Sequence, residues 1–242
     1  MEKLLAEFKD KLQAAAGANL KAMVLFGSAA RGEYHEQHSD LNVLCVLERA
    51  SADDLETLHE AVVWWERKKF PSPQVFTMQE LRASADIFAI ELLDMKTHHK
   101  MLYGEDFFDE LAVPMQLHRL QVERELRTNW VKLRQGILLA PRKDQVFIRL
   151  MDASVSTFVT LFRHALIVLG EDPPSSRHDI VPAVAKLAGA RPDGFLAVLE
   201  LREGKRQPRE VNARETLRDY LDLVERVTDE VDRRLAGTVQ AD

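Results

Sequence analysis

A chain of 242 residues can bury one large core or two small ones, and with 46% hydrophobic and 30% charged residues it has a globular rather than a disordered composition. A single cysteine, Cys45, excludes an internal disulfide and a Cys-rich zinc site, and the net charge of −6 argues against broad binding to nucleic-acid backbones. No apolar run approaches the roughly 18–20 residues that span a bilayer, and the N-terminus lacks a signal peptide's apolar stretch, so a cytoplasmic protein without membrane contact is expected.

Leu4, Leu5, Phe8 and Leu12 recur at helical spacing, with Gly17 as the stop. Residues 22–26 form a short apolar run ending at Gly27, as a buried strand would, and residues 41–47 form a second, within which Cys45 reads as a small buried hydrophobe. Leu55, Leu58, Val62 and Trp65 predict one helix over 53–69, broken by Pro71 and Pro73. Residues 75–77 read as a third strand and 101–103 as a short fourth one before Gly104.

From about Pro114 the strand signal ends. Helices are predicted over 116–139, over 147–169 (apolar around most of its circumference, as in the middle of a bundle) and from Ser175 or Ser176 to about Leu187. Asn212 and Glu215 open a final helix carrying Leu217, Leu221, Val224, Val227, Val231 and Leu235 on one face. Strands first and helices afterwards predict an α+β domain, a mixed sheet with flanking helices, over 1–113 and an all-α helical bundle over 114–242. Charge is uneven along this plan. Residues 1–114 hold 12 basic and 20 acidic side chains, whereas 115–150 hold 8 and 3. That basic segment is either a polyphosphate-facing surface or a solvated helix face.

The chemistry-bearing segment starts where the first strand ends. Gly27-Ser28 precedes a helix-compatible stretch, which would present backbone N–H groups and a hydroxyl to a phosphate. Eleven residues separate Ser28 from Asp40, which opens the second apolar run as Asp40-Leu41-Asn42-Val43. On a strand, residues two apart share a face, so Asp40 and Asn42 project together and Leu41 and Val43 project oppositely. Oxygen donors beside a phosphate-binding turn suit metal-assisted phosphate chemistry.

Phe26-Gly27-Ser28 and Ser39-Asp40-Leu41-Asn42, with Arg31-Gly32 between them, resemble the signature of the polymerase-β-like nucleotidyltransferase superfamily. The wider and less specific resemblance, over most of the chain, is to its small bacterial type, in a kanamycin-nucleotidyltransferase-like arrangement with a helical C-terminal domain. The resemblance implies Mg²⁺ held by carboxylates, an NTP as ligand, and transfer of NMP to a hydroxyl acceptor, here unknown, with release of pyrophosphate. It assigns Gly27, Ser28 and Arg31 to the phosphates and Asp40 and Asn42 to the metal. The catalytic positions are Asp40, Asn42 and Gln74, the last because 73–81 aligns with the strand that bears the third acid.

This chain departs from the pattern at two of those three positions, where Asn42 and Gln74 are amides that ligate without charge. An active nucleotidyltransferase, a catalytically silent nucleotide-binding relative and a protein-interaction module of the same fold therefore all stand. So does pairing with a second copy of the chain. Glu91 and Asp94 are candidates for a displaced carboxylate or for ion pairs. The adjacent His98 and His99, taken as helical neighbours, diverge and suit a surface better than a metal. His35 and His38, with Glu36 nearby, sit between the motif halves. Arg31 suits either a phosphate clamp or a pair with Glu33 or Glu36. Trp130 with Lys132 and Arg134 suits a base pocket or a core.

Overall fold

In the computed structural model, which describes residues 1–32 and 40–239 and side chains through residue 234, the chain divides into two compact units, Met1–His118 and Arg119–Asp242. The expected division at 113/114 lies just before a helix that begins at Met115, and the observed one lies within that helix's first turns.

The first unit opens with α1 (Glu2–Ala16), which buries Leu5, Phe8 and Leu12 and stops at Gly17, whose φ of 54° only glycine adopts without strain. Strands β1 (Leu20–Phe26) and β2 (Asn42–Leu47) follow, then α2 (Ala52–Thr57), α3 (His59–Glu66) and β3 (Gln74–Thr77). Next come α4 (Met78–Ala83), α5 (Ala89–Thr97) and β4 (His99–Tyr103). The sheet order is β3-β2-β1-β4. β1 runs antiparallel to β2 and β4, while β2 and β3 are parallel, so the sheet is mixed as expected.

Alternation along the strands sorts two cores. Leu25, Val43, Cys45 and Leu47 pack in one cluster with Phe8, Leu12 and Trp65. Val24, Leu44 and Val46 pack on the other face with Leu81, Leu92 and Met95. Burial pushes the Cys45 thiol up to about 12, which keeps it an inert hydrophobe. Trp65 is fully buried between Phe8 (ring centroids 4.3 Å apart) and Phe70 (4.7 Å), and its indole N–H donates to the Pro71 carbonyl at 2.9 Å.

Two expectations change here. The helix predicted over 53–69 is two helices meeting at Leu58, because the Ser51–Asp54 capping box starts a short α2 and Thr57 donates back to the Asp54 carbonyl. Leu58 then turns into the core while Leu55 stays 43% exposed. The strand expected from residue 41 begins at Asn42, although buried Leu41 keeps the alternation.

His98 and His99 do not share a helix. α5 ends at Thr97, His98 closes it, and His99 starts β4. The His99 ring bridges the Met95 carbonyl (2.7 Å) and the Asp106 carboxylate (2.8 Å) and lies 4.3 Å from the Phe108 ring. Asp106 also accepts from the Phe108 amide, and chiefly this bond, with His99 assisting, lowers its carboxyl below the usual range. A depressed folded pKa contributes stability above the unfolded value of about 3.9, and that contribution is lost as pH falls through the folded value. Melting curves of Asp106→Asn and the natural chain should therefore differ above about pH 5 and converge toward about pH 2. A gap that stays constant with pH would refute this assignment.

Helix α6 spans Met115–Leu139. The second unit continues with α7 (Asp144–Leu169), α8 (Arg177–Ala188), capped by Ser176, α9 (Asp193–Arg202) and α10 (Ala213–Val239). Helix α7 packs against α8, α9 and α10. Contrary to the sequence expectation, α7 is long and apolar enough to cross a membrane by length and composition, and 56% of its most apolar window is buried within the protein. Those contacts account for its apolarity, as for a central bundle helix. Asn212 and Glu215 exchange the capping contacts that open α10, and Val224, Val227 and Val231 are fully buried. Tyr220 stacks on Phe195 at 3.8 Å and shares a 2.8 Å hydrogen bond with Ser154, and burial raises its phenol far above the ordinary value. Among the described residues of this unit there is no strand.

Candidate functional site

The site residues gather at the end of β1 and the start of β2. Phe26, the last residue of β1, pairs with Asn42, the first of β2. The chain then turns at Gly27, whose φ of 75° requires glycine and whose surface is covered by the Asn42 carboxamide. A Cβ at residue 27 would stand 3.0 Å from Asn42 Nδ2. Gly27 therefore lies against Asn42, across the β1–β2 pair.

The helix expected after Ser28 is a single 3-10 turn, Gly27–Ala29, with the amides of Ala30 and Arg31 both returning to the Gly27 carbonyl. A macrodipole needs aligned peptides over several turns, so this single turn offers an anion only local N–H groups and the Ser28 hydroxyl. Residues 33–39, including Glu33, His35, Glu36, His38 and Ser39, lie outside the described residues.

Asp40 is exposed just before β2, and Asn42 is half-buried. Leu41 and Val43 point into the cluster beneath Trp65, which sends Asn42 to the opposite side, and Asp40 lies two residues ahead of it, just before the strand. Gln74 pairs with Leu44 across the parallel β2–β3 ladder. Leu44 has the parity of Asn42, so Asn42 and Gln74 share one face of the sheet, two residues out of level on neighbouring strands. Sequence alignment alone could not establish that juxtaposition.

Arg31 takes a third course. Its side chain, only 8% exposed, forms an ion pair with Asp94 of α5. The guanidinium thus ties the turn to α5, and Asp94 is engaged by it. Glu91, one turn earlier on α5, lines a cavity together with Gln74. In the second unit, Arg134 lies over the Trp130 ring at 3.9 Å, a cation–π pair one helical turn apart, and Lys132 is exposed.

These donors do not fit a two-cation site. Of the three motif positions only Asp40 carries charge, and among the described residues no group of three His, Cys, Asp or Glu side chains is placed to hold a metal. Amide carbonyls ligate hard cations without offsetting the cost of bringing two of them together.

Residues 1–93 match the model of a family described as nucleotidyltransferase domain. Among solved structures, the chain is similar to the spectinomycin adenyltransferase AAD(9) from Enterococcus faecialis, determined with ATP and spectinomycin. The TM-score is 0.58 at 16% identity, over 94% of this chain and 99% of that one. At that identity the likeness is one of fold. A toxin–antitoxin structure with AMP-PNP matches with a TM-score of 0.31 at 16% identity, over 55% of this chain and 98% of that one. No curated protein sequence matches.

Proposed function

Starting from the match of residues 1–93 to a nucleotidyltransferase-domain model, we propose that this chain binds a nucleoside triphosphate at the Gly27–Ala29 turn without performing the two-cation NMP transfer of the nucleotidyltransferase superfamily. The observation that carries this reading is the donor set: one acid, Asp40, beside two amides, Asn42 and Gln74, on a shared sheet face. Mg²⁺ would find one charged ligand there, and no side chain at these positions besides Asp40 is equipped to take a proton from an acceptor hydroxyl. The positive-φ Gly27 and the adjacent Ser28 support phosphate binding by backbone and hydroxyl groups. The AAD(9) structure was determined with ATP, which supports a nucleotide as the ligand class. A lone cysteine and the burial of α7 are consistent with a cytoplasmic location.

The intact Gly27-Ser28 and Asp40 favour the second reading, an active transferase. Titrating the full chain with each NTP, with and without Mg²⁺, separates the two. Melting temperature and pyrophosphate are followed together. The expected result is an upward shift with at least one NTP, of similar size with and without Mg²⁺, and no pyrophosphate. Without a cation, Asp40 repels the triphosphate, so Asp40→Asn should tighten Mg²⁺-free binding several-fold. Pyrophosphate release lost in Asp40→Ala would establish the transferase instead. No shift with any NTP would leave the interaction module.

A further inference from the structure

The basic segment of the chain, residues 115–150, contains the corner at which α6 gives way to α7. Gly136 lets the two helices approach there, and a Cβ on it would stand 3.0 Å from the Leu150 side chain of α7. Residues 140–143 turn the chain, with the Ala140 amide returning to the Ile137 carbonyl and the Lys143 amide to that of Pro141. Phe147 is buried on the inner side of the corner. The last two residues of α6 are not. Leu138 and Leu139 are 83% and 86% exposed, more than any other large hydrophobic side chain among the described residues. Single exposed leucines need no explanation, but two neighbours exposed to this degree stand out from the surface instead of lining a groove.

Cations surround them. Val131, Arg134 and Leu138 follow at helical spacing on one exposed row of α6, and Lys132, Gln135 and Leu139 on the row beside it. Arg134 therefore lies about 6 Å back from Leu138 along the helix axis. On the other side of the leucines come Arg142 and Lys143, both exposed, and then Arg149. Over 128–150 there are five basic residues and one acid, Asp144, which stands 3.9 Å from Arg214.

A partner must answer both the leucines and the cations. Nucleic acid offers phosphates, but a leucine side chain has no aromatic face on which a base stacks. A rigid protein would need a pocket shaped to two protruding side chains. An anionic bilayer meets both requirements, since its acyl boundary is fluid and apolar and its headgroups carry the opposite charge.

We propose that the α6–α7 corner is a peripheral attachment site for anionic lipid bilayers. Leu138 and Leu139 enter the boundary between headgroups and acyl chains, and Arg134, Arg142 and Lys143 pair with the headgroups. Their long aliphatic stems keep the charges at headgroup level. The expected lack of membrane contact rested on the lack of a spanning run and of a signal peptide, and a peripheral contact needs neither. The attachment does not depend on nucleotide binding.

The test is co-sedimentation of the full chain with phosphatidylcholine vesicles, with and without about 30% phosphatidylserine. Binding to the anionic vesicles should be at least about tenfold tighter than to the neutral ones, and about 1 M NaCl should remove the difference. The double variant Leu138→Ser, Leu139→Ser should weaken anionic binding at least about tenfold. Arg142→Gln with Lys143→Gln should weaken it on the order of twentyfold, about fivefold for each cation. All four positions are exposed, so both variants should melt as the natural chain does. Leu139→Trp should show blue-shifted emission on anionic vesicles, the sign of insertion. No pelleting with anionic vesicles at about 1 mM lipid, equal binding to both compositions, or full binding by the leucine variant would overturn the proposal. So would a dimer in light scattering that the leucine variant abolishes, which would make the corner a contact between copies, or duplex oligonucleotide binding lost with the two cations.

Discussion

The double variant Asn42→Asp, Gln74→Asp is expected to bind Mn²⁺ or Mg²⁺ on the order of a hundredfold more tightly than the natural chain, since ligand charge count tunes such affinities over decades. Asn42 and Gln74 stand on one face of adjacent parallel strands, and Asp40 lies two residues before Asn42, just ahead of β2. Asn42→Asp exchanges an amide nitrogen for an oxygen, Gln74→Asp does the same on a side chain one methylene shorter, and each adds one negative charge. Three carboxylates near one point repel one another, so the variant should also be less stable without metal and regain that stability on adding it. Isothermal titration with Mn²⁺ and melting curves with and without EDTA read both effects. Metal affinity unchanged from the natural chain would mean that Gln74 does not face the Asp40–Asn42 position. The single variants separate the contributions, and because the groups share one ion their effects should exceed additivity.

Trp65→Ala is expected to cost about 3–5 kcal/mol, the range for truncating a large buried aromatic. Trp65 is fully buried, stacks on Phe8 and Phe70, and donates to the Pro71 carbonyl. Truncation opens a cavity between α1 and α3 and leaves that carbonyl without its donor. Domain stabilities of roughly 5–15 kcal/mol leave little after such a loss, so urea unfolding of the first unit should shift to much lower concentration. Trp65→Phe keeps most of the stacking and should recover more than half of the loss. A cost below about 1.5 kcal/mol for the alanine variant would show that the site collapses around the cavity.

The parts of the fold legible in the sequence were those written in local chemistry. Apolar runs ending at Gly27 and preceding Pro71, and the Asn212–Glu215 cap, marked their elements because glycine, proline and capping side chains act within a few residues. The break at Leu58 escaped because both halves keep one apolar period, and only the Ser51–Asp54 box, itself a readable signal, hints at a short first helix. The Thr77–Glu80 box announces α4 in the same way. Helix α9 has no such mark. It begins after Pro192 without a side-chain cap and carries Gly194, which packs so closely on α10 that a Cβ there would lie 2.8 Å from the Thr216 carbonyl oxygen. That glycine, which weakens a helix by propensity, is required by a neighbour 22 or more residues away.

At the site, spacing was enough to bring Gly27 and Asn42 together, since they flank the antiparallel β1–β2 pair. The Arg31–Asp94 pair was out of reach because it joins residues 63 apart, and nearer acids offered cheaper partners on paper. The shared face of Asn42 and Gln74 depended on a parallel register that no local pattern encodes.

The order β3-β2-β1-β4 leaves the two shortest strands, of four and five residues, on the outside and the longer β1 and β2 within. An outer strand offers unpaired amides and carbonyls on which another chain can template itself. Here that offer is brief. Pro71 and Pro73 precede β3 and cannot extend its donor row, and β4 carries Lys100 and closes at Gly104, whose φ of 80° bends the chain away. The sheet is thus guarded against edge-to-edge association, which leaves helices and loops, rather than strand addition, as the surfaces through which this domain can meet a partner.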